Sequence, residues 1–205
     1  MPPRPGDRRR PRTLAWLALL PCLAAAPDGP GVATVSAPGG RPLRLEAPRG
    51  GALALVFYST ECPIANACNP ALNALVRRFP RERFVLVGLC VDEDLTDAQV
   101  AAHAQEYELA FPVGRDRGLA QARRHGITVT PEAIVLDAAG RPRYRGRIDD
   151  QFVARSKRNR HAQAHDLRDA IEAVLDGREV ARPRTPAVGC PLPAFGPAAP
   201  SRDGD

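Results

Sequence analysis

Five cysteines, at positions 22, 62, 68, 90 and 190, are the side chains of this 205-residue chain best suited to chemistry. A cysteine reacts as its thiolate, so the useful question is which of them sits where an anion is stabilised. Cys62 follows the continuous apolar run Ala52-Leu-Ala-Leu-Val-Phe-Tyr58 and the polar turn Ser59-Thr60-Glu61, and it precedes Pro63. There a strand hands over to a helix, whose free N-terminal amides and dipole favour a thiolate. Cys62 is therefore the expected nucleophile and the thiol expected to be alkylated fastest, the bland alternative being an inert buried cysteine. Cys90 lies inside the second apolar run, Phe84 to Val91, and reads as a packed small residue. The four histidines, at 103, 125, 161 and 165, read as surface groups, and the basic run Arg155 to Arg160 as a solvated loop. The chain has no glycine-rich phosphate loop and no Ser/His/Asp signature.

The elements that must position Cys62 follow from hydrophobic period and punctuation. Val32 to Val35 and Leu43 to Leu45 flank a Pro-Gly-Gly turn and predict a hairpin. The runs 52–58 and 84–91 predict strands buried on both faces. Leu72, Leu75, Val76 and Phe79 recur three and four apart, which predicts an amphipathic helix over 70–79 ending at Pro80. Thr96 and Gln99 form a capping box for a helix to about Glu108, and a short helix over 117–125 stops at Gly126. Residues 132–137 and 143–148 predict an antiparallel hairpin. Asp166 is expected to cap a last helix carrying Leu167, Ala170, Ile171, Val174 and Leu175 and ending at Gly177.

The order hairpin, β, α, β, α, β, β, α, with the apolar strand, Ser59-Thr-Glu-Cys-Pro63 and Pro70-Ala-Leu-Asn-Ala-Leu75, resembles the thioredoxin-like superfamily. It is similar in particular to exported redoxins related to the alkyl hydroperoxide reductase/thiol-specific antioxidant (peroxiredoxin-like) proteins. The resemblance covers about residues 31–177. It implies an α/β thioredoxin-like fold, a central mixed sheet flanked by helices with an N-terminal hairpin. It implies further that Cys62 is the attacking cysteine, although the family's usual second cysteine falls at Ala65. Val129-Thr130-Pro131 resembles the family's cis-proline segment, which makes Thr130 and Pro131, with Thr60, candidates for positioning substrate. Arg145-Gly-Arg-Ile-Asp-Asp150 is typical of a bacterial redoxin subset. Ser59 matches the hydroxyl of the peroxiredoxin motif and Arg143 its activating arginine, while that motif's proline falls at Leu55.

With Ala65 at the usual position, the resolving thiol must lie elsewhere. Six residues of continuous helix rise about 9 Å, beyond the roughly 7 Å Cα limit of a disulfide, so Cys68 reaches Cys62 only if 62–68 is a loop and the helix starts near Asn69-Pro70. Cys190, in Val188-Gly-Cys-Pro191, is the favoured partner, on the expectation that residues 178–205 form an irregular, loosely held tail. The expected activity is thiol–disulfide exchange at Cys62, with peroxide reduction as the alternative. The implied partners are a disulfide-containing protein or a small thiol or peroxide, and an external thiol reductant; no cofactor is implied. A third reading, a copper or zinc carrier using Cys62 and Cys68, suffers from a five-residue gap wider than usual zinc spacing and from Pro131 where copper carriers of this fold tend to place histidine.

Composition bounds these readings. Ten of the 22 prolines fall in residues 1–48 and six in 181–205, which leaves the middle of the chain for a core. Of the formal charge of +6, a net +4 lies in residues 1–26, and Lys157 is the sole lysine, so no nucleic-acid partner is implied. Residues 1–26 have the layout of a secretory signal: arginines, the apolar run Leu14 to Leu20, and Ala24-Ala25-Ala26. The expected location is periplasmic or extracytoplasmic, with cleavage or a membrane tether through residues 13–26.

Overall fold

The computed structural model describes residues 33–192, and the expected leader lies outside them, as does the end of the tail. In chain order the strands and helices are β1 (Ala33–Ser36), β2 (Pro42–Leu45), β3 (Ala52–Tyr58), α1 (Pro63–Arg78), β4 (Phe84–Cys90), α2 (Asp97–Glu106) and β5 (Val113–Arg115). A short 3-10 turn leads into α3 (Ala120–His125), followed by β6 (Val129–Thr130), β7 (Glu132–Asp137), β8 (Pro142–Gly146), β9 (Phe152–Ala154), β10 (Lys157–Arg158), α4 (Asp166–Leu175) and β11 (Cys190–Pro191). Seven strands form one mixed sheet in the order β2-β1-β5-β4-β3-β7-β8. β3, β4 and β5 run parallel, and β7 returns antiparallel beside β3.

β3 shows why a continuous apolar run marks a central strand. Successive side chains point to opposite faces, and here Ala54, Val56 and Tyr58 enter one core while Leu53, Leu55 and Phe57 enter the other. The first core is completed by Leu72 and Leu75 of α1, Val100 of α2, and Leu167 and Ile171 of α4. The second is completed by the β1–β2 hairpin, Ala122 of α3, and Leu192 from the C-terminal segment. This is the thioredoxin-like arrangement that the resemblance implied.

Two local expectations change, and one open alternative is decided. Of the two helix starts the sequence offered, α1 takes Pro63, and its first bond runs from Asn66 N to Cys62 O at 3.0 Å. Pro70 lies inside the helix, where it forgoes one backbone bond, while Ile64, Ala65 and Cys68 before it are buried against the core. Asp166 does not cap α4: His165 holds the cap position, and the Asp166 carboxylate accepts a bond from Arg147 Nε at 2.7 Å. The C-terminal segment, expected to be loose, is docked. Thr185 Oγ1 bonds the Tyr144 hydroxyl at 2.7 Å, Thr185 N donates to Arg145 O, and β11 pairs antiparallel with β6.

Candidate active site

Cys62 is the N-cap residue of α1, with extended backbone, and is 1% exposed. Its Sγ donates to Thr130 O at 3.1 Å. Thr130 precedes Pro131 through a cis peptide bond. The backbone of Thr130 pairs in turn with Cys190, and Leu192 N donates to Thr128 O at 3.0 Å. Cys190 thus lies across β6 with its thiol beside Cys62. Burial pushes the Cys190 thiol up to about 11, helped by a hydrogen bond to Cys62 and by its charge, while Arg155 pulls the other way. All four described cysteines are free thiols.

The tail comes so close to the core that glycine is required at two points. A Cβ on Gly189 would collide with the Thr130 carbonyl, and one on Gly146 with Thr185. The Arg-Gly-Arg-Ile-Asp-Asp segment builds this docking face. Arg145 pairs with Glu132 at 2.5 Å and reaches the His125 and Gly126 carbonyls at the C-terminal end of α3, while Arg147 pairs with Asp166. Asp150 Oδ1 accepts from the amides of Gln163 and Ala164.

The loop before Cys62 is clamped by a residue the sequence reading passed over. Asp92, two residues beyond β4, accepts from Thr60 N at 2.7 Å, Thr60 Oγ1 at 2.8 Å and Cys90 Sγ at 3.6 Å with a single oxygen. An acidic residue just past the C-terminal end of a central parallel strand was the available signal, because that end is where open α/β sheets place their sites. Asn66 was missed as well: its amide donates to Thr60 O at 2.8 Å, and its Oδ1 meets His103 Nε2 at 3.0 Å. His103 is not a surface group. It is buried, with its ring between Tyr58 and Tyr107, and burial lowers its pKa.

The remaining candidates separate clearly. Cys68 is buried in α1, and burial pushes its thiol up to about 12, with Asp149 and Cys62 adding to the shift. The continuous helix removes the loop that a Cys62–Cys68 bond would need. Cys90 is buried in β4, its thiol also raised to about 12. Ser59 Oγ accepts from Glu61 N, and Ser59 O accepts from Cys62 N, so it shapes the turn. Arg143 is not at the site. It faces Asp137 at 3.5 Å, and Asp137 pairs with Ala52, at the opposite end of β3 from Tyr58 and the turn to Cys62, about 20 Å along the strand. Among the described residues no three or more His, Cys, Asp and Glu side chains converge as a metal site would need, and no helix is long and apolar enough to cross a membrane.

Comparison with known proteins agrees with the fold. The profile of the AhpC/TSA family matches residues 25–145. The thiol-disulfide oxidoreductase ResA of Bacillus thuringiensis subsp. konkukian is 26% identical over 102 residues, which are 50% of this chain and 58% of that protein. The chain therefore matches little more than half the length of such curated relatives. A hypothetical protein of Sinorhizobium meliloti 1021 superposes with a TM-score of 0.68 at 25% identity, over 79% of this chain and 90% of that one. An uncharacterized conserved protein from Geobacillus kaustophilus does so with a TM-score of 0.67 at 19% identity, over 82% and 90%.

Proposed function

The chain belongs to the AhpC/TSA family, and from that membership and its paired thiols we propose that it is an exported thiol–disulfide oxidoreductase working through a Cys62–Cys190 disulfide. The observation that carries the reading is Cys190 held by β11 opposite Thr130, its thiol beside Cys62. Cys62 stands at the N-terminus of α1, as its N-cap residue. In the reduced pair the Cys62 thiolate attacks one sulfur of a substrate disulfide, forming a mixed disulfide as the substrate S–S bond breaks and its other sulfur leaves as a thiolate. Cys190 then attacks Cys62 Sγ, expels the substrate thiolate and leaves the internal disulfide. Thr130, whose carbonyl meets Cys62 and whose backbone pairs with Cys190, and Pro131 after it are the residues we assign to positioning substrate, and Thr60 holds the turn through Asp92. The leader in residues 1–26 supports export, where such disulfides persist. The substrates are disulfides of proteins or small molecules, with an external thiol as reductant.

Peptide mapping after stoichiometric oxidation tests this reading. A dominant Cys62–Cys190 crosslink, lost in both Cys62→Ser and Cys190→Ser together with reduction of a model disulfide, is the expected result. A dominant crosslink to Cys68, or a stable sulfenic acid on Cys62 without any crosslink, would overturn the pairing. The peroxidase alternative has lost its arginine, since Arg143 lies at the far end of the sheet; turnover of hydrogen peroxide measured beside the disulfide assay distinguishes the two.

A further inference from the structure

The two sulfurs of the pair differ in how they can be reached. Cys62 is 1% exposed, bonded to Thr130 O and flanked by Cys190. Cys190 is half-buried, and it, rather than Cys62, lines an open cavity of about 380 Å³ shared with Ser59, Glu61, Glu93, Asp94 and Leu119. The edge of β6 is also taken. Its backbone groups pair with Cys190 and Pro191, so an extended peptide cannot add there while the tail is docked. A reagent arriving through the cavity meets the tail sulfur first.

We propose that the internal disulfide is opened at Cys190, by a small external thiol entering through this cavity, with Cys62 as the leaving group. This rests on the Cys62–Cys190 reading above. The thiolate RS⁻ attacks Cys190 Sγ, an R–S–S–Cys190 bond forms, and the Cys190–Cys62 bond breaks with its electron pair leaving on Cys62. A second RS⁻ attacks the R sulfur, releasing RSSR and the Cys190 thiolate, which takes up a proton. Two external thiols are oxidised and one disulfide is reduced. Leaving-group chemistry points the same way as access. A thiolate departs more slowly the less it is stabilised, and burial pushes the half-buried Cys190 thiol up to about 11, with the adjacent Cys62 adding to the shift, so Cys190 is a poor leaving group. The sequence alone pointed to Cys62 as the thiol alkylated fastest, on the ground of its helix terminus; its burial behind the tail sets access against that expectation.

The test uses the oxidised full chain, first mapped to establish its crosslink. Limiting 2-mercaptoethanol is added, the reaction is quenched after a short interval with excess N-ethylmaleimide, which captures whichever cysteine has been released, and the peptides are mapped. The expected product carries mercaptoethanol on Cys190 and maleimide on Cys62, in at least tenfold excess over the converse. A second measurement avoids the trap: Cys62→Ser loaded with thionitrobenzoate on Cys190 should release it to 2-mercaptoethanol at least tenfold faster than Cys190→Ser loaded on Cys62. Mercaptoethanol on Cys62, or equal release rates, would overturn opening at Cys190 while leaving the crosslink reading intact. Absence of the crosslink in the starting material would overturn both.

Discussion

Cys62 and Cys190 are neighbours held by opposite kinds of structure. Cys62 is positioned mainly by what adjoins it, the end of β3, the turn before it and the first turn of α1, with Asp92 clamping that turn and Thr130 O accepting from its Sγ as distant contacts. Cys190 belongs to a two-residue strand, and everything that places it is distant in sequence: Thr130, Thr128 and, a few residues upstream, Arg145 and Tyr144. The place of Cys62, the proposed nucleophile, is thus secured by the core. Its partner's place depends on a docked segment, whose close fit at Gly189 and Gly146 replaces the burial it lacks. Losing the first position should abolish chemistry, whereas loosening the second should change its course.

The comparison is broken most severely at the nucleophile: Cys62→Ser should bring disulfide reduction to the uncatalysed rate with the fold retained, as read by turnover and circular dichroism. Gly189→Ala comes next. Its methyl would meet the Thr130 carbonyl, so the tail should lift, internal crosslinking should slow by about an order of magnitude as proximity is lost, and stability should fall by about 1–3 kcal/mol. Crosslinking unchanged in that variant would show that the close approach at Thr130 O does not position Cys190. Asp92→Ala removes the acceptor of the Thr60 amide and hydroxyl. A loss of about 1–3 kcal/mol in chemical denaturation is expected, with faster alkylation of Cys62 as its turn loosens.

The smallest effect concerns pH. Burial lowers the pKa of His103 from 6.5, and that of His125 as well, so both stay neutral in the fold while the unfolded chain protonates first. Stability is therefore fully present above about 6.5 and falls as the pH drops below it toward the lower folded values. His103→Phe should flatten that decline between pH 7 and 5 in denaturant titrations, and an unchanged slope would assign it to His125. Because His103 also reaches the Thr60 turn through Asn66, the same variant should lower turnover modestly rather than leave it untouched.

Much of this molecule was legible from short stretches. β3 and β4 stand out because strands buried on both faces are apolar throughout, and the Thr96–Gln99 capping box of α2 is present as expected. The start of α1 was not legible, since both Pro63 and Asn69-Pro70 are valid helix openings; the burial of Ile64, Ala65 and Cys68 decided for the first. β5 is three residues long, too short to show a period. Asp92 and Asn66 gave no spacing signal, because their partners lie in other elements.

The sequence by itself determined the architecture and singled out Cys62 as the candidate nucleophile: strand, turn, cysteine and helix follow one another along one short stretch, and local propensity with hydrophobic period is sufficient over that range. It also supplied Cys190 as a candidate, though for the wrong reason, a loose tail able to fold back. Only the tertiary structure decided that the tail is docked, that it lies as a strand on β6, and that Cys62 sits behind it. Those facts depend on backbone pairing between residues about sixty positions apart and on a steric fit at Gly189. Neither leaves a periodic trace in the sequence, because a two-residue strand has no period and a close approach is defined only once both surfaces exist.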